Sequence, residues 1–433
     1  MGLGLLLCAG VAWDNFADGV DVTVPDPRSV PTLTTSPSPE TLAQGRYLLQ
    51  AGNCIACHTA RGGTPMAGGR GIETPFGSVY SSNLTPDPET GIGQWSSAHF
   101  WRALHHGRSR DGHLLTPAFP YNHTTLISRS EADAMFAWLQ SLPPVVNQPP
   151  VHSLHWPLGT QPALAVWRTL YFKAGSYQAK AGQTAEWNRG AYLVQGLGHC
   201  AACHSTRNAL GASGAVDDLT GGLMPVVNWT APSLTDNAQT GLAQAPLGEI
   251  QTLLKTGQSG QHYTSGPMAE VVQYSTQYLN APDLRAMAIY LQSQAIPSTF
   301  AAATALASGV PKATEQRAIS LETANRGSAI YDKQCAQCHG DQGQGQIGAY
   351  PALAGQRGVL QSDTTNLVQT LLYGGYPPAT SGNPRPYGMP PFILTLDDKD
   401  IAAVLTHLRS QWGNHAREVT PLEVNRIRAS QGS

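Results

Sequence analysis

The sequence predicts an all-α, loop-rich fold built three times over in series, and three observations predict it. The pentapeptide Cys-x-x-Cys-His occurs at residues 54–58, 200–204 and 335–339, which takes six of the seven cysteines. The surroundings of those pentapeptides repeat: TGIGQWSSAHFWRALHHG at 90–107 aligns without gaps on TGLAQAPLGEIQTLLKTG at 240–257, and VQTLLYGG at 368–375 echoes the ends of both. Composition agrees, since 45 Gly and 32 Pro in 433 residues suit short helices wrapped in loops around groups that supply much of the apolar core.

The pentapeptide is the attachment signature of a c-type haem. Two thiols about one helical turn apart add to two vinyl groups while the adjacent imidazole coordinates iron. A lone Cys-x-x-Cys also fits a redox pair or half a zinc site, but neither requires the following His. The expected attachment residues are Cys54 and Cys57 with proximal His58, Cys200 and Cys203 with His204, and Cys335 and Cys338 with His339, so three covalently bound haems c are expected.

At 433 residues the chain is long enough for several domains, and its net charge of -2 with 12% charged residues gives nucleic acid nothing to bind. Haem is attached after export, so the chain is expected outside the cytoplasm. Residues 3–12 (LGLLLCAGVA) form an apolar run of signal length with no Lys or Arg before it. It is too short to span a bilayer alone, which takes about 20 apolar residues. Either the start is trimmed from a longer signal or anchor, or Met1 lies inside one. Cys8 reads as an apolar residue of that segment, because Leu7 is a poor match to the small residue that precedes a lipid-modified cysteine.

In chain order, residues 1–37 are expected to be an export or anchor segment and a Pro/Ser/Thr-rich linker. The first domain spans 38–150, from an opening helix at 40–50 to a closing helix at 132–142 introduced by the capping box Ser128–Glu131 and stopped by Pro143 and Pro144. Residues 151–180, with His152, His155, Trp156 and Trp167 among prolines, read as a connector. The second domain covers 181–298, an Ala- and Ser-rich linker 299–320, the third domain 321–413 and a polar tail 414–433. The closing helices share WLQS at 138–141, YLQS at 290–293 and HLRS at 407–410.

A haem that shuttles electrons needs a ligand opposite its histidine, and a Met thioether serves where a raised potential is wanted. Met268 in a Gly-Pro-Met loop and Met389 in a Gly-Met-Pro loop follow the repeated glycines and precede closing helices. The first repeat lacks a methionine there: its loop reads TPAFPY at 116–121, with Ala118 level with Met268 and Phe119 one place beyond, so a one-residue shift leaves the equivalence between them open. Neither side chain ligates iron. That haem is either five-coordinate or uses another side chain, with His123 preferred and His113 and Met66 as alternatives; His123 equally suits a surface or propionate-contacting residue. Arg61 and Arg207, each three residues past its haem histidine, are candidates for propionate contact.

With three such motifs, WNRGAYLVQGLGHCAACHSTRN at 187–208, GPMAEVV at 266–272 and TPDPETGIG at 85–93, the chain resembles the triheme cytochrome c subunits of bacterial membrane-bound dehydrogenases, over nearly everything past Ser38. The resemblance implies three cytochrome c domains, electron transfer from a catalytic subunit to ubiquinone, and a membrane-associated place on the periplasmic face of the inner membrane. The catalytic partner in such complexes is a quinoprotein alcohol dehydrogenase, a flavoprotein sugar or gluconate dehydrogenase, or a molybdopterin and iron-sulfur hydroxylase. The alcohol and sugar branches usually carry Met between the residues matching Ala118 and Pro120. Phe119 looks more like the molybdenum branch, and aldehyde dehydrogenase is the preferred partner. No cluster outside the haem motifs suggests a nucleophile or acid–base pair, so substrate chemistry is expected on the partner. Two rivals are a peroxidase-like enzyme built on the irregular first haem and a soluble electron carrier.

Overall fold

A computed structural model describes residues 37–260, 262–296 and 319–430 together with Val11 and Asn15. The expected export segment and the 299–320 linker therefore lie almost wholly outside the described residues. The chain forms two compact units, one of residues up to Ala202 with Arg207–Asp218, the other of Cys203–Thr206 with residues from Leu219 onward. Among the described residues no helix is long and apolar enough to cross a membrane.

In the first unit the opening helix is Pro39–Ala51, capped by Ser38, whose hydroxyl accepts from the Thr41 amide. It crosses the closing helix Arg129–Gln140 at a point where only glycine fits, because a Cβ at Gly45 would stand 2.0 Å from the Ala134 carbonyl oxygen. The closing helix starts three residues earlier than expected since Ser128 itself is its cap, accepting from the Glu131 amide. A third helix, Ser97–His106, lays Phe100 against Phe136 with ring centroids 5.6 Å apart. Leu48, Leu49, Met135 and Leu139 are buried between these helices, each worth roughly 1.5–3 kcal/mol when fully withdrawn from water.

The second unit repeats the plan. Leu247–Thr256 packs on Ala281–Gln294, and Leu321–Gln334 on Asp398–Ser410, where a Cβ at Gly327 would meet the Ala403 carbonyl oxygen. Tyr331, Val368, Leu372, Ile401, Val404 and Leu405 form the core of the last repeat. Residues read as a polar tail instead build a helix, Pro421–Ala429, that buries Val424 and bonds Arg428 to Asp398 at 2.7 Å.

The closing helices use their shared tetrapeptide in the same way each time. Gln140 Nε2 donates to the Ile92 carbonyl at 2.9 Å, and Gln292 Nε2 to those of Leu242 and Ala245 at 3.3 and 2.8 Å. In the third repeat Arg409 takes this place, donating to the carbonyls of Val359, Gln361 and Arg417.

The all-α expectation needs correction. Gly71–Thr74, Gly77–Tyr80 and Ser153–Leu154 form a three-stranded antiparallel sheet, and two-stranded sheets pair Gly222–Met224 with Trp229–Ala231 and Gln258–Ser259 with His262–Tyr263. Their cause is loop length: extended connections lying side by side satisfy their backbone groups on one another. The first sheet also recruits residues 153–154, the start of the expected connector, whose helix Gln161–Tyr171 buries Arg168 under a bond from its guanidinium to the His106 carbonyl at 2.7 Å.

Candidate haem sites

Each pentapeptide is built around one short helical turn, Cys54–Cys57, Ala201–His204 or Ala336–His339, with His58 just after the first and Cys200 and Cys335 just before the second and third. Residues three apart on such a turn share a side, which places Cys54 and Cys57 on one side of theirs. None of the six described cysteines is in a disulfide. Burial, with the second cysteine nearby, pushes the Cys54 thiol up to about 12 and the Cys335 thiol up to about 11. Both are neutral thiols at physiological pH.

The three histidines are held identically. Nδ1 of His58 donates to the Ser82 carbonyl at 2.8 Å, that of His204 to Pro232 at 2.8 Å and that of His339 to Pro351 at 2.9 Å. A carbonyl can only accept, so the proton sits on Nδ1 and the lone pair of Nε2 remains for a metal. Burial lowers all three pKa values from 6.5 and keeps the imidazoles neutral.

The backbone around each ring repeats as well. Gly68, Gly221 and Gly345 donate their amides to the carbonyls of His58, His204 and His339 at 2.8, 2.7 and 2.7 Å. All three have positive φ, 74°, 82° and 66°. A Cβ on any of them would strike the segment that offers the acceptor carbonyl, at 2.5 Å from Ser82 C, 2.6 Å from Ser233 N and 2.6 Å from Pro351 C. These glycines follow their histidines by ten, seventeen and six residues, so no fixed spacing marks them in the sequence.

The loop after each middle helix returns to a glycine at or one residue past that helix's C-terminal cap. Leu115 N bonds Gly107 O at 2.9 Å, Thr264 N bonds Gly257 O at 2.8 Å, and Met389 N bonds Gly375 O at 2.8 Å. Met389 is half-buried and packed against the core of its repeat. Met268, expected in a loop, stands in the first turn of the helix Pro267–Tyr274, because Pro267 starts that helix. It lies four residues past Thr264; four past Leu115 is Phe119. Counted from that bond, Phe119 rather than Ala118 falls level with Met268, whereas Met389 makes the bond itself and falls level with Leu115 and Thr264.

Of the three first-repeat alternatives, His113 is an exposed side chain paired with Asp111 at 2.6 Å. Met66 is 3% exposed but sits in the loop between His58 and Gly68, the proximal histidine's own loop. His123 differs from both. Its ring is 0% exposed, Nδ1 donates to the Gln195 carbonyl at 2.8 Å, and Nε2 is buried with no hydrogen-bond partner among the described residues. Burial first, and the neighbouring His199 second, push its pKa down to about 4. His123 shares with His58, His204 and His339 the bond from Nδ1 to a backbone carbonyl, which leaves the Nε2 lone pair for a metal; His199 makes the same bond, to the Leu197 carbonyl at 2.8 Å.

The arginines sort differently from expectation. Arg207 donates to the Ala202 carbonyl inside its pentapeptide. Arg70 does the same for the equivalent Ala56 carbonyl at 2.6 Å, whereas Arg61 is exposed. Arg70, twelve residues past His58, is the counterpart that counting three residues from the histidine misses.

The comparisons with known proteins bear on these sites. Residues 324–412 match the cytochrome c family. The chain is 36% identical to the cytochrome c subunit of the quinone alcohol dehydrogenase of Gluconacetobacter polyoxogenes, over 89% of this chain and 83% of that one. It belongs to the dehydrogenase cytochrome c subunits. The gluconate 2-dehydrogenase cytochrome c subunit of Pantoea cypripedii is 34% identical over 90% of this chain and 89% of its own length. A chain of the nicotinate dehydrogenase of Pseudomonas putida is 38% identical over 90% of this chain, which matches 32% of that longer protein. Membership implies covalently bound haem c, and the paired sulfurs with an Nε2 lone pair beside them are the donor set that such a haem takes.

Proposed function

We propose that this cytochrome c subunit holds three haems c, one per repeat, and carries electrons from a catalytic dehydrogenase subunit to ubiquinone at the periplasmic face of the inner membrane. The observation that carries the count is the threefold cradle: one carbonyl acceptor, one positive-φ glycine and one Nδ1–H bond at each of His58, His204 and His339. In this reading three cytochrome c domains, at 38–150, 181–298 and 321–413, lie in series. Cys54 and Cys57, Cys200 and Cys203, and Cys335 and Cys338 are the attachment thiols.

Bound, each haem supplies one-electron chemistry, and the chain supplies its surroundings. The three histidines present neutral Nε2 atoms whose basicity the carbonyl bonds raise. Met268 and Met389 would hold the irons of the second and third haems together with His204 and His339, and His123 that of the first together with His58. Imidazole in place of thioether lowers the first haem's potential relative to the other two.

For the partner we favour a molybdopterin and iron-sulfur aldehyde dehydrogenase. Phe119 level with Met268 supports this choice over the quinoprotein and flavoprotein enzymes, whose cytochromes usually carry Met there. The test is molybdenum and haem iron in the complex purified from native membranes, with haems counted by mass on the denatured chain. Three haems and about one molybdenum per three haem irons is expected. Two or fewer haems would overturn the count, and no molybdenum would overturn the partner.

A further inference from the structure

We infer that repeat two positions the distal ligand of repeat one: the π-helical turn Leu193–Leu197 aims His123 through the Gln195 carbonyl. The inference rests on the proposal that His123 ligates the first haem, and goes beyond it by naming what holds the imidazole.

The turn is one residue out of register with the rest of the repeat. From Tyr47 to Cys54 is seven residues, and from Tyr192 to Cys200 eight. A π-turn takes up one extra residue without ending the helix, and such turns concentrate at functional sites. Its amides close on other carbonyls, Gly198 on Leu193 at 2.7 Å, Cys200 on Val194 at 3.0 Å and His199 on Gly196 at 3.1 Å. The Gln195 carbonyl accepts the His123 Nδ1–H at 2.8 Å.

The same turn reaches both sides of the first site. The short helix Tyr121–Thr124 that carries His123 packs on it, and a Cβ at Gly196 would rest 3.4 Å from Leu126 Cβ. Leu197 lies over the entry to the first pentapeptide, 3.6 Å from where a Gly52 Cβ would be. Five residues separate Gln195 from Cys200, so the acceptor that orients His123 is tied by a short stretch of chain to the second attachment site. An acceptor behind a ligating imidazole fixes ring orientation and strengthens the donor nitrogen, and losing one typically weakens a metal ligand by about 10–100-fold.

Two alanine substitutions separate the turn's role from general disturbance. In Gly198→Ala the new Cβ stands 2.8 Å from the Leu193 oxygen that closes the turn, so the turn must shift. In Gly196→Ala it makes only ordinary contacts, the nearest at 3.4 Å. The reduced full-length protein is titrated with carbon monoxide, which binds a haem only as its sixth ligand leaves. Gly198→Ala is expected to raise the affinity of one haem in three by about 10–100-fold, with the other two and Gly196→Ala at wild-type values. If Gly198→Ala binds carbon monoxide as the wild type does while His123→Ala opens one haem, the positioning role is overturned and His123 stands as ligand. If His123→Ala also changes nothing, the ligand assignment itself has failed. Should Gly198→Ala not fold, deletion of Gln195, which restores the spacing of the first repeat, gives the same readout.

Discussion

Replacing Gly345 by alanine should damage the site around His339 in a way that replacing a neighbouring glycine, equally left-handed, does not. Gly345 has φ 66°, and a Cβ there would meet Tyr350 O, Pro351 C and Ala352 N, each at 2.6 Å. Gly348, three residues on, has φ 79° and nothing within 4 Å of its Cβ position. The left-handed conformation costs a non-glycine residue about 1–2 kcal/mol, which both variants incur. Only Gly345→Ala also forces backbone aside, for a further 1–3 kcal/mol or so. The expected loss is therefore roughly 2–5 kcal/mol for Gly345→Ala and roughly 1–2 kcal/mol for Gly348→Ala. A chain of several repeats does not unfold in one step, so a global melt is the wrong assay. Native-state hydrogen exchange at the Val404 and Leu405 amides, in the core helix of that repeat, reads the local opening free energy. Because the displaced carbonyl is the one His339 bonds, the potential of one haem should move only in Gly345→Ala. Equal losses and unmoved potentials in both variants would refute the close packing of this loop on the histidine's acceptor.

Arg409, 1% exposed, serves three backbone carbonyls; Arg409→Met leaves them unpaired and should lose roughly 3 kcal/mol or more of local opening free energy, read by native-state hydrogen exchange in the helix Asp398–Ser410. Arg409→Gln, which copies Gln140 and Gln292, should lose less, and a ranking the other way would dissolve the equivalence of the three closing helices. Met268→His and Met389→His should each lower the potential of a different haem in a redox titration, while Met135→Leu in the first core leaves all three unchanged. His106 is held down to about 4 by burial, then by His105, Arg168, Arg108 and Arg102. Its unfolded form protonates near 6.5, so its contribution to stability is complete above that pH and lost as pH falls from about 6.5 towards 4. The local opening free energy read by native-state hydrogen exchange in the helix Arg129–Gln140 should accordingly fall less in His106→Asn than in the wild type over that window, and parallel curves would remove the effect.

What the sequence disclosed and what it concealed divide along one physical line. Cys-x-x-Cys-His is readable because its five residues stand next to one another along the chain. Ser82, Pro232 and Pro351 act through backbone oxygens, which any residue possesses, and at distances along the chain that differ in each repeat. Nothing in their identity could betray them. Arg70 stayed hidden for the related reason that it meets Ala56 in space from fourteen residues away, whereas Arg61 is near its histidine in sequence yet turned out to solvent. The open register between Ala118 and Phe119 closed only when a backbone bond, Leu115 to Gly107, gave both loops a common origin. The small sheets escaped because two- to four-residue strands are too brief to show an alternating pattern.

The unequal arcs from His58 to Gly68, His204 to Gly221 and His339 to Gly345 reach the same endpoint geometry. What these sockets share is thus a pair of anchor points, and the thread between them is at liberty to lengthen. An insertion there would redecorate the rim of one haem crevice, giving each repeat its own outward face while the iron's immediate company stays the same. Loops of different length on a shared pair of anchors can in this way let each repeat recognise a different neighbour.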